Sequence, residues 1–64
     1  MTDIINHANS ILPFSISPWE ALTRACSLYD AFVDFDKEKN RAYVEWEGED
    51  VRVSLTTGDE WELD

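Results

Sequence analysis

Cations are scarce in this chain: 5 Lys or Arg stand against 14 Asp or Glu among 64 residues, a formal charge of −9. A surface with a pI near 4.2 repels phosphate backbones and anionic headgroups, so direct binding to DNA, RNA or a membrane is not expected. Cys26 is the only cysteine. It cannot form an internal disulfide, and the expected setting is the reducing cytoplasm. Glycine occurs only at Gly48 and Gly58, which excludes a Gly-rich phosphate loop. One histidine, His7, and one thiol cannot assemble a zinc site or a supported nucleophile–base pair. No apolar run approaches the ~18 residues of a membrane span, and Met1 to Asn9 lacks the basic start and apolar stretch of a secretion signal.

Length adds a further limit. A chain this short is one domain, 1–64, that buries only about 60% of its unfolded surface, with no room for a catalytic cleft between domains. No enzyme activity and no cofactor are expected. The chain is nevertheless 44% apolar, with three Trp, three Phe and two Tyr, a composition that disordered acidic tails do not have.

Composition changes near Asp30. Residues 1–29 hold only Asp3 and Glu20 as acids, and the other twelve fall in 30–64. The first part reads as helical. Ser17-Pro18-Trp19-Glu20 combines a cap, a first-turn proline and a capping-box glutamate, so a helix should start at Pro18. Trp19, Leu22, Cys26, Tyr29 and Val33 follow at helical spacing, widened by Ala21, Ala25 and Leu28. The stripe leaves open whether the helix ends near Asp30 or runs one turn further. A shorter helix over Asp3–Ile11 would align Ile4, Ile5, Ala8 and Ile11 and stop before Pro13.

Beyond Asp30 the apolar period becomes two, as in strands. Val33 and Phe35, then Ala42, Val44 and Trp46, then Val51, Val53 and Leu55, then Trp61 and Leu63 alternate with polar residues. Lys37–Asn40, Gly48–Asp50 and Thr57–Asp59 read as the turns. The expected fold is therefore α+β, an antiparallel four-stranded meander with the main helix, and a short N-terminal helix, on one face. The apolar positions should meet Trp19, Leu22, Cys26 and Tyr29. The opposite face should carry Asp34, Asp36, Glu45, Glu47, Glu60, Glu62 and Asp64, with Arg52 as its single strand cation and Phe32 and Tyr43 as aromatics among the acids.

Three chemistries can be tested on those acids. Glycosidase work needs two carboxylates across an enclosed site, which an open sheet face does not supply. Asp34, Asp36, Glu38 and Glu45 approach EF-hand spacing, but Lys39 stands where the loop needs glycine and no helices flank it, so no metal is expected. The third is a charge lattice. Side chains at i and i+2 on a strand lie about 6.6 Å apart and neighbouring strands about 4.8 Å, separations comparable with those of successive phosphates. Partner binding is accordingly expected at Asp34, Asp36, Tyr43, Glu45, Glu47, Glu60, Glu62 and Asp64, with the aromatic as an anchor.

In size, acidity and α+β pattern, and in the acidic stretch Asp30 to Asp64, the chain resembles the small phage-encoded anti-CRISPR proteins and other DNA-mimic inhibitors. No motif is shared, so no functional residue is carried over. A monomer is expected, and the resemblance implies a bacterial host cytoplasm and a target that is a basic nucleic-acid-binding protein, such as a CRISPR surveillance complex with its positively charged duplex site. The alternative, of another class, is a small adaptor or antitoxin-like module whose helix or open sheet edge pairs with a partner chain.

Overall fold

Ser17 starts the main helix as its sequence requires: its backbone is extended and its Oγ accepts from the Glu20 N–H at 3.2 Å. Glu20 returns a bond one residue earlier than a capping box would, since its Oε1 accepts from the Ile16 N–H at 3.0 Å. In the computed structural model, which describes residues 1–64, this helix, α2, runs over Pro18–Leu28 and the N-terminal helix, α1, over Thr2–Ile11. A single 3-10 turn, Leu12–Phe14, joins them.

Helix α2 stops earlier than its apolar stripe. Asp30 adopts φ 58°, the Ala31 N–H reaches the Cys26 carbonyl at 2.7 Å and the Asp30 N–H that of Ser27 at 3.2 Å. These bonds form a Schellman cap, with an aspartate where glycine is usual. The chain reverses there, and Val33 joins a strand.

The four strands are β1 (Phe32–Asp36), β2 (Arg41–Trp46), β3 (Glu49–Leu55) and β4 (Trp61–Leu63), antiparallel in the order β1-β2-β3-β4. The architecture is the expected α+β meander. The β1–β2 turn occupies Lys37–Asn40 as expected, and two other details differ. Strand β2 begins at Arg41, so a second arginine enters the sheet. The β2–β3 turn is Glu47-Gly48, both at positive φ (50° and 80°) and closed by the Trp46–Glu49 pair, the geometry of a type I′ turn. The sequence pattern predicts that turn one residue later, at Gly48–Asp50.

Apolar side chains line the inner face: Val33, Val44 and Val51 in one row, Phe35, Ala42 and Val53 in the next. Both helices cover it. Ile4, Ile5 and Ala8 of α1 are as buried as Ala21, Leu22, Ala25 and Cys26 of α2, so α1 is a full member of the core. The core is organised around Trp61, 2% exposed, whose ring meets Trp19 edge-on at 5.2 Å and whose Nε1 donates to the Pro18 carbonyl at 2.9 Å. Trp46 Nε1 likewise donates to the Tyr29 carbonyl (3.1 Å), filling an acceptor at the end of α2 that the helix itself leaves open.

Helix α1 is fastened to the sheet through Asn9. Its Nδ2 donates to the Trp61 carbonyl at 2.8 Å and its Oδ1 accepts from the Trp61 N–H at 2.7 Å. One side-chain amide thus supplies the donor and acceptor that a fifth strand would have offered at this position.

Candidate partner-binding face

Strand pairing fixes which side chains share the outer face. One row across the sheet holds Asp36, Arg41, Ser54 and Glu62. The next holds Asp34, Tyr43 and Arg52, extended by Asp64, whose N–H donates to the Arg52 carbonyl at 3.0 Å. A third holds Phe32, Glu45 and Asp50. Glu60 directly precedes β4, exposed, on the same alternation as Glu62.

Most of the sequence-derived residues therefore meet: Asp34, Asp36, Tyr43, Glu45, Glu62 and Asp64 on the sheet face, with Glu60 at its margin. Glu47 does not. It occupies the tip of the β2–β3 turn, because a two-residue loop at Glu47-Gly48 takes it out of the pleat. In its stead Asp50 lies on the face, directly opposite Glu45. The shifted turn explains both: Glu-Gly lacks the Asn or Asp that marks a type I′ turn in sequence.

The face is also less uniform than alternation suggested. Arg52 is not its one cation, since Arg41 stands across from Asp36. Arg52 forms the chain's single ion pair, with Asp64. Asp36 and Asp34 on β1, and Glu62 on β4 with Asp64 just past its end, lie at the two edges of the sheet, about 14 Å apart at three strand spacings. The arginines and Tyr43 lie between them. At the end nearest the β2–β3 turn, Glu45 and Asp50 have no cation in their row.

Charge is unevenly shared: the helices carry Asp3 and Glu20 against Arg24, the sheet face carries five strand-paired acids and Asp64 against two arginines, and the turns and margins carry six further acids against Lys37 and Lys39. Glu45 and Asp50 form a pair without direct ladder bonds between them, given that the adjacent Trp46–Glu49 pair closes the two-residue turn; such pairs bring side chains closest, and like charges so placed oppose folding. Phe32 (70% exposed) and Tyr43 (43%) add apolar surface among the carboxylates. Tyr43, Asp50, Val51, Arg52 and Asp64 line a shallow concavity of about 550 Å³.

No group of three or more His, Cys, Asp or Glu side chains converges as metal ligands would. The stretch from Asp34 to Glu45 is strand, turn and strand rather than a loop folded around an ion. Cys26 is buried in the core, where desolvation pushes its thiol up to about 11; a thiol so placed is a poor nucleophile. His7 lies on α1 with its ring 6.3 Å from that of Tyr29. No helix is long and apolar enough to cross a membrane. Comparison with protein-family models, with curated proteins and with solved structures gives no match.

Proposed function

We propose that this chain is a non-enzymatic inhibitor whose acidic sheet face occupies the basic groove of a nucleic-acid-binding protein and keeps the true ligand out. The observation that carries it is Glu45 opposite Asp50: two carboxylates face each other across strands at a cost to folding, in a row with no cation, beside the exposed ring of Phe32. An arrangement of that kind has a use when the charge is met by a partner. Complementary potentials steer the encounter and make it salt-sensitive, and carboxylate–arginine pairs with an aromatic anchor then slow dissociation.

The two acidic edges and the Glu45–Asp50 pair would contact basic side chains, with Tyr43 packed between them. If the likeness to phage-encoded inhibitors extends to the target, a CRISPR surveillance complex is the first candidate, since its duplex-binding channel is positively charged.

The test is displacement. Labelled duplex DNA bound to purified surveillance complexes and to other bacterial DNA-binding complexes is titrated with the protein. At least one complex should release its DNA, and the protein's direct affinity for that complex, measured without DNA, should fall steeply between about 50 and 300 mM salt. Glu45→Lys combined with Asp50→Lys should abolish release, whereas Glu47→Lys should only weaken it. Release by none of these complexes, or release indifferent to the double reversal, overturns the reading.

A further inference from the structure

Edge strands expose one row of backbone hydrogen-bonding groups, and this sheet treats its two edges differently. On β4, both outward groups of Trp61 are taken by Asn9, which leaves a single residue, Leu63, with groups turned outward. On β1 the pairing register decides which groups look outward. Strand β2 is joined to β3 by a two-residue turn closed at Trp46–Glu49, so alternate pairs Val44–Val51 and Ala42–Val53 are bonded to β3, and Glu45, Tyr43 and Arg41 turn their groups to β1. Their partners Phe32, Asp34 and Asp36 are then bonded to β2. The N–H and C=O of Val33 and of Phe35 point away from the sheet, and no hydrogen bond engages them.

We propose that this free edge of β1 is a docking strand for an extended segment of a partner protein that carries Lys or Arg at alternate positions. Val33 and Phe35 together offer two donors and two acceptors, enough to zip a short strand onto the sheet. The side chains of an added strand that fall on the outer face would lie beside Asp34 and Asp36, and Phe32 would flank them. The chemistry favours cations there.

The same acids argue against a second copy of this chain as occupant. Two β1 strands joined antiparallel through the Val33 and Phe35 groups set Val33 against Phe35 of the other copy, and thus Asp34 against Asp34 in the close, non-bonded pair. Two molecules of charge −9 repel at long range as well. The inference rests on sheet register and does not require that the partner bind nucleic acid.

Amide hydrogen exchange decides it, with a capped peptide of four Lys-Val repeats as the probe and four Glu-Val repeats as its control. In the free protein the Val33 and Phe35 amides should exchange quickly. The Lys-Val peptide should slow both by about tenfold or more, while Asp34, already bonded to β2, changes little. Phe35→Pro removes an outward donor without touching the β2 ladder. It should abolish the protection of Val33, yet leave DNA displacement by the acidic face intact. Slow exchange of Val33 and Phe35 in the free protein overturns the proposal, as does peptide binding that shifts only Glu45 and Asp50 or equal protection by Glu-Val repeats. If Phe35→Pro does not fold, the exchange of the native protein with the two peptides still decides.

Discussion

Asn9 is a short polar side chain on an otherwise ordinary amphipathic helix, and it holds together elements 52 residues apart in sequence. Removing its amide leaves the Trp61 N–H and C=O, both partly buried, without partners. Asn9→Ala should therefore lower stability by about 1–3 kcal/mol, the cost of orphaned buried groups, read as a fall in the urea midpoint at unchanged m-value. Cys26 has a different signature. Its thiol pKa is about 11 in the folded protein against 9.0 for the ordinary group, through burial alone. The folded state thus holds the proton more tightly than the unfolded chain. Stability from this source is whole below pH 9 and drains away as pH climbs from about 9 to about 11, a loss of about 2–3 kcal/mol. The difference in urea midpoint between the wild type and Cys26→Ala, followed from pH 8 to 11, isolates that slope from the other groups that titrate there. Sequence reading found Cys26 in the core because its helical spacing is local. Nothing local distinguished Asn9 from any surface amide, since its role depends on where β4 arrives.

At the scale of elements, the residues that end helices and turn strands are where local preference and final geometry disagree. Asp30 caps α2 at φ 58° and Glu47 begins a type I′ turn at φ 50°, both in the left-handed region that costs residues with a Cβ about 1 kcal/mol. Asp30→Gly should raise the melting temperature, with a gain of up to about 1 kcal/mol, because glycine takes that conformation without strain. No gain would mean that the aspartate side chain stabilises the reversal in some other way. The same disagreement explains what the sequence left unread. The Ser17-Pro18 start of α2 was legible because its cap is local and chemically distinct. Its end was not, since the apolar stripe runs on to Val33 and an aspartate stands where a glycine would have announced the stop. Likewise Glu47-Gly48 hid a turn, and the shift by one residue exchanged Glu47 for Asp50 on the outer face. The period-two pattern still placed Asp34, Asp36, Tyr43, Glu45, Glu62 and Asp64 correctly, because a strand's alternation holds whichever residue begins it.

For the molecule as a whole, charge and stability pull against each other. A single Asp50→Lys substitution would put a cation opposite Glu45 and replace a repulsive cross-strand pair with an attractive one. It should stabilise the fold by about 0.2–1 kcal/mol while weakening displacement of DNA from the partner. A protein that became both more stable and a better inhibitor would contradict the proposed role of this pair. Added salt offers the same comparison without mutation. Screening of the net charge of −9 should raise the melting temperature between about 0.02 and 0.5 M salt, and the Asp50→Lys variant should show a smaller rise.

The bond from Asn9 to Trp61 also bears on how the chain acquires its shape during synthesis. Helix α1 precedes β4 by more than 50 residues, so although its isoleucines can meet Leu22, Ala25 and Cys26 of α2 early, its attachment to the sheet waits for Trp61. Loop closure over that span is among the slower steps available to so small a chain. Fragments that stop short of Trp61 should remain open to proteases, and protection should appear in one step in the fragment that includes it.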